Sequence, residues 1–246
     1  MNDAFLGIGR IGNALAALLA ACVLAGCGAV NATLKDAQDR DLMLLGHDPV
    51  AYFEAGRQQR GDPGIAATHE GRTYYFASEA RRRTFLADPA KYEPQYGGFC
   101  SSGMAYGLKF DSDPTAWTIV DGRLFIFGDI LGREQWKLDQ DSNIRDGDAL
   151  WAAEAKDAGW RAQTIKRIVL RVPHYRTGRE LTERWEALHP GRTITYNPGG
   201  TVQNLFMKYP GWRAREGFSQ PALGIPGVDA CPPACPGEFT QGSAEP

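Results

Sequence analysis

Two residues of this 246-residue chain invite chemistry first, His47 beside Asp48 and Cys100 behind Tyr96-Gly97-Gly98-Phe99. Histidine and cysteine are both scarce, at four and five copies. If the imidazole and the thiol converge, Met104 or a carboxylate can complete a small copper site, because nitrogen and sulfur donors suit that metal. Each residue also has a plainer reading. Free cysteine usually behaves as a small buried hydrophobe. Asp48 before Pro49 can cap a short helix, with proline well placed at its first turn, leaving His47 a structural role. A third reading makes Cys100 a reactive thiol, since the preceding glycines allow close backbone approach.

The remaining cysteines point to a compartment. Leu24-Ala25-Gly26-Cys27 looks like a lipobox at the end of an apolar run, Ile11 to Leu24, interrupted only by Asn13. That run suits a signal-peptide core and falls short of the roughly 20 residues of a spanning helix. The expectation is a lipoprotein signal peptide over 1–26, lipid on Cys27, and a mature chain anchored to a membrane and facing the periplasm. Gly28 in place of aspartate favours the outer membrane over the inner. Cys231-Pro232-Pro233-Ala234-Cys235 reads as a local disulfide in an oxidising compartment, with a metal-binding clip as the alternative. Cys22 leaves with the signal, so Cys100 is the one thiol without an assignment.

Composition narrows the partners. A net charge of −2 carries no basic excess of the kind nucleic-acid binding needs. No Ser-His-Asp order, metalloprotease motif or phosphate loop is present, so binding is expected before catalysis.

The elements that must position these residues form an α+β pattern. Residues 27–41 read as a tether, with Asn31 to Arg40 polar and unpatterned. In 42–160, two hairpins are expected: 65–68 with 73–76 around Glu70-Gly71, and 117–120 with 123–127 around Asp121-Gly122. Ser78 can cap a helix to about Leu86, closed by Asp88-Pro89. Further helices are expected from about Arg133 to Leu138, and from Asp148 to Gly159 behind an Asp146-Gly147 break. Residues 161–246 read as an α/β extension. Thr164 to Val172 alternates as a strand, Thr177 with Glu180 makes a capping box for a helix to Leu188, and Thr193 to Tyr196 forms a short strand. After 210 the chain is irregular and rich in Pro and Gly.

From Gly46 to about Trp160 the chain resembles the YHS domain family in its secreted bacterial form. The matching segments are Gly46 to Phe53 (GHDPVAYF), Gly71 with Tyr74 to Ser78, and Phe85 to Tyr92. They continue through Pro94 to Cys100, Asp113-Pro114, Trp117 and Asp121 to Phe125. The resemblance implies a small α+β unit of short antiparallel hairpins and helices, and a role in handling copper or zinc. Metal-binding relatives carry three cysteines at positions that look like Ala51, Ala77 and Arg81 here, so the implied thiolate set is missing. The resulting expectation is a metal-binding accessory protein using His47 and Cys100. The alternatives are a scaffold or partner-binding module of the cell envelope, or a thiol-dependent enzyme using Cys100.

Overall fold

Two tight turns organise the chain. At Glu70-Gly71 and at Asp121-Gly122 both central residues have positive φ (46° and 76°, 49° and 72°). That is the twist a two-residue hairpin requires, and glycine at the second position adopts it without strain. The turns close β3 (Asp62–His69) on β4 (Arg72–Phe76), and β5 (Asp113–Val120) on β6 (Arg123–Phe127). Both expected hairpins are present. The computed structural model describes residues 29–192. The signal segment, Cys27, the strand at 193–196 and Cys231 with Cys235 lie outside the described residues.

Two short strands, β1 (Thr33–Lys35) and β2 (Asp41–Met43), join the first hairpin in a sheet of order β1-β2-β4-β3. All neighbours are antiparallel except β2 and β4, which run parallel through Leu42 and Thr73. The tether expected over Asn31–Arg40 is therefore folded. Asp36 explains why a polar stretch can do this. Its carboxylate accepts the backbone N–H groups of Gln38 and Arg40, the Arg40 guanidinium and the Tyr75 hydroxyl. Burial pushes its pKa up, but these hydrogen bonds prevail and hold it at about 2.

Strand β6 is the shared wall of two cores. Side chains alternate across a strand, so Leu124 and Ile126 face one way and Phe125 and Phe127 the other. The first pair packs with Tyr52, Tyr74, Phe76 and Phe85 of the sheet side. The second packs with Tyr96, Met104, Leu131 and Trp136 of the helical side. A strand buried on both faces makes the two halves one packed body.

Helices surround this wall. On the sheet side, α1 (Pro49–Glu54) starts at Asp48, whose side chain accepts from Val50 N–H, and α2 (Glu79–Ala87) starts at Ser78, which accepts from Arg81 N–H. The short α3 (Pro89–Tyr92) follows on that side, whereas α4 (Ser101–Met104) belongs to the helical side, with Met104 in its core. On the helical side lie α5 (Ile130–Lys137) and α6 (Gln140–Leu150), then a π-helical turn over Trp151–Ala155, then α7 (Trp160–Val169) and α8 (Gly178–Leu188). The α+β class is as expected, and α8 carries the full Thr177–Glu180 capping box.

Three expectations are corrected. The helix expected from Arg133 begins at Ile130, because the Asp129 side chain caps it through Gly132 N–H at 2.6 Å. The Asp146-Gly147 break is instead the interior of α6. A Cβ at Gly147 would lie 2.7 Å from Tyr96 Oη, so glycine admits a tyrosine there rather than ending a helix. Thr164 to Val172 is not a strand: most of it lies in α7, which buries Trp160, Gln163 and Thr164 at helical spacing. Gln163 Nε2 donates to the Gly107 carbonyl and Thr164 Oγ1 to the Lys109 carbonyl. Ile165, Val169 and Leu170, which supplied the apparent alternation, are exposed.

Candidate functional site

His47 and Cys100 occupy separate surroundings. The buried His47 ring places Nδ1 at 2.9 Å from the Leu44 carbonyl. A carbonyl can only accept, so Nδ1 carries the hydrogen. Burial lowers the pKa of this ring to about 4, assisted by Arg60, so it is neutral at physiological pH. Tyr52 donates its hydroxyl to the Pro114 carbonyl at 3.0 Å. Cys100 sits in the other core beside Met104, and its Sγ accepts the Gly128 N–H at 3.2 Å. Burial pushes its thiol up, away from the reactive thiolate. Among the described residues, neither His47 nor Cys100 belongs to a group of three or more metal-capable side chains.

The positions at which the resemblance implies thiolates are gathered around Asp48, which is fully buried. Ala51 N–H donates to the Asp48 carbonyl at 3.2 Å, and Ala77 N–H to Asp48 Oδ2 at 2.9 Å. Arg81 Nη1 reaches the same Oδ2 at 3.4 Å and Gln59 Oε1 at 2.8 Å. Two methyl groups and a guanidinium offer a metal ion no lone pair. These residues do not fit zinc or copper(I), which need soft or imidazole donors. A carboxylate–guanidinium pair ties the strand end to the helix starts instead.

His69, Glu70 and Glu93 do form a metal-capable group, their ligand atoms lying within 4.8 Å of one another. A cation already holds it. Arg72 Nη2 lies 2.6 Å from Glu70 Oε2 and 3.0 Å from Glu93 Oε1, and Tyr74 donates to Glu93 Oε1 at 2.9 Å. A metal ion would have to displace that guanidinium.

The prominent cavity lies elsewhere, on the helical side. It measures about 410 Å³ and opens between α4, α5, the start of α6 and the 173–176 segment leading into α8. That volume falls within the roughly 300–1,000 Å³ of small-molecule sites. One wall is aromatic: Tyr106 stands against Tyr175, with centroids 5.1 Å apart, and against His174 at 5.8 Å. His174 Nε2 is 2.8 Å from the Ala105 carbonyl and 3.5 Å from Asp146 Oδ2. The floor includes Trp136, 2% exposed. Among the described residues, its indole N–H has no hydrogen-bond acceptor.

None of the cavity's lining residues stands among the candidates read from sequence. They come from five separate stretches between Ser102 and Leu181, and no spacing rule connects them. The missed signal is modest: Pro173-His174-Tyr175 is a compact polar-aromatic triplet in a stretch expected to be only a connection.

Comparison with protein-family models, curated proteins and solved structures finds no match in any of the three.

Proposed function

We propose that this chain is a binding protein of the cell envelope, not an enzyme, and that its ligand is a small molecule held in the cavity around Trp136. The observation that carries the reading is a cavity of about 410 Å³ walled by Tyr106, His174 and Tyr175, with Trp136 in its floor. Cys100, buried with its thiol pushed up, supports no nucleophilic role. The lipobox at Leu24–Cys27 supports the envelope location and a lipid anchor, while the net charge of −2 gives no support to nucleic-acid binding.

The test is a thermal-shift and ligand-observed NMR screen of the full chain against a small-molecule library, with the variant Ser142→Phe as control. Ser142 lines the cavity, so a phenyl ring there fills it. Ligands that stabilise the native chain and lose their effect in Ser142→Phe support the reading. Ligands unaffected by the substitution place binding elsewhere.

A second reading rests on the His69, Glu70 and Glu93 group, as a weak site for a divalent cation. It requires Arg72 to swing away, so Arg72→Ala should strengthen zinc binding measured by equilibrium dialysis. Unchanged binding in that variant removes this reading.

A further inference from the structure

Helix α7 turns an apolar stripe outward, and resting on the lipid anchor proposed at Cys27, we infer that this stripe lies in the headgroup layer of an anionic phospholipid membrane. Trp160, Gln163 and Thr164 are buried on one side of α7. At about 3.6 residues per turn, Ala162, Ile165 and Val169 fall on the opposite side. Val169 is 72% exposed, and Leu170, where the helix ends, is 61% exposed. Six large apolar side chains are exposed among the described residues, and Ile165, Val169 and Leu170 are three of them. A fourth, Val30, stands at the start of the same helix. There the Ala29 carbonyl accepts the Trp160 N–H at 3.1 Å, and Lys109 Nζ joins the carbonyls of Val30 and Ala158. Most of the exposed apolar surface therefore gathers along α7, beginning where the chain arrives from Cys27.

Cations border the stripe. Residues 156–171 carry Lys156, Arg161, Lys166, Arg167 and Arg171 against the single carboxylate of Asp157, in a chain of net charge −2. Just before them, Glu154 pairs with Lys166 and Arg167, at 2.5 Å each. Helical spacing puts Arg161 and Lys166 on the two flanks of the stripe, and Arg171 follows Leu170. The guanidinium groups of Arg161 and Arg171 rest on the rings of Trp160 and Tyr175, at 4.9 and 4.7 Å. An apolar stripe between basic flanks suits a helix lying in the plane of a membrane surface, with its cations at the lipid phosphates. A protein partner fits less well, because a stable protein interface engages roughly 20–30 residues a side, far more than this stripe offers. Lipid on Cys27, two residues before Ala29, would bring a bilayer to the end of the helix where the stripe begins.

The experiment expresses the full chain in a bacterium, with the photo-crosslinker p-benzoylphenylalanine in place of Val169 or, as control, of Leu86, which is exposed on the sheet side. The purified protein is reconstituted in vesicles of phosphatidylethanolamine and phosphatidylglycerol and irradiated, and the adducts are identified by mass spectrometry. The mass of the N-terminal peptide reports separately whether Cys27 carries lipid. The expected result is a phospholipid adduct at position 169 and little at position 86. Arg171→Gln should lower the adduct at 169 about fivefold, the effect of one cation at an anionic surface. An undiminished yield in that variant overturns the choice of an anionic surface. Adducts to residues 193–246, or to a second copy of the chain, show that protein covers the face and overturn the proposal. With Cys27 lipidated, equal lipid labelling at 169 and 86 overturns the proposal and leaves the anchor standing. A Cys27 without lipid removes the anchor, and the proposal falls with it.

Discussion

Arg81 reaches the fully buried carboxylate of Asp48 at 3.4 Å, where it joins the N–H of Ala77 on the same oxygen. The other carboxylate oxygen caps α1 through Val50. One side chain thus fastens the end of β4, the start of α1 and the first turn of α2. Asp48→Ala removes a helix cap and the acceptor of the Ala77 N–H, while Arg81 keeps Glu54 and Gln59, a loss of about 2–3 kcal/mol. In chemical denaturation the double variant Asp48→Ala/Arg81→Ala should lose less than the sum of the two single variants. Strict additivity would show that the pair is not coupled.

Lys109 is fully buried, with Nζ 2.8 Å from the Val30 carbonyl and 2.6 Å from that of Ala158. Burial lowers its pKa from 10.5 to about 7, against a smaller opposing influence of Asp157. A neutral amine keeps two N–H donors, enough for both carbonyls. Between pH 7 and about 10.5 the unfolded chain binds a proton that the native chain does not, so this group makes stability rise with pH across that interval. Urea titrations of the native protein and Lys109→Met should diverge progressively from pH 7 to 10. Parallel curves would refute the assignment.

His47 acts in a lower window with the same sign. Its ring is held neutral down to about pH 4, whereas the unfolded imidazole protonates near 6.5. The stability it contributes is present above pH 6.5 and is lost as the pH falls toward 4. His47→Gln should flatten the melting-temperature profile between those limits while lowering it overall.

Cys100 is expected to be inert in the native state. Its thiol is buried, accepts the Gly128 N–H and has a raised pKa. Iodoacetamide at neutral pH should label the Cys100 peptide at least tenfold more slowly in native protein than in urea-unfolded protein, read by mass spectrometry. Equal rates would restore the reactive-thiol reading.

Trp185 tests how firmly α8 belongs to the body. It is 1% exposed within the core that contains Phe125 and Trp136, and its ring stacks on His189 at 4.0 Å. Trp185→Ala should cost about 3–5 kcal/mol in a single cooperative transition. A separate low-stability transition would mean that α8 unfolds on its own.

Much of the local architecture was legible because it rests on neighbours in sequence. Glu70-Gly71 and Asp121-Gly122 declare their turns, Thr177 and Glu180 declare a helix start, and Asp48-Pro49 declares another. The errors arose where a distant residue decided the outcome. Gly147 reads as a breaker until Tyr96 is seen against it. Thr164 reads as the start of a strand until the carbonyl of Lys109 accepts from it. The polar segment around Asp36 folds because Tyr75, far along the chain, supplies a hydrogen bond. The cavity was illegible for the same reason: Trp136, Tyr106 and His174 meet only after three helices pack.

The folding of residues 29–43 changes how an anchored form of this chain would sit. The Ala29 carbonyl already accepts the Trp160 N–H at 3.1 Å, and Val30 is held by Lys109. Were Cys27 lipidated, only Gly28 would separate it from the first secured residue, a leash of about 7 Å at full extension. A 15-residue tether would let the domain roam tens of ångströms from the bilayer. This one would press a fixed face against the lipid headgroups, and lengthening the leash with a glycine–serine insert after Gly28 should be what frees the protein to reach further into the periplasm.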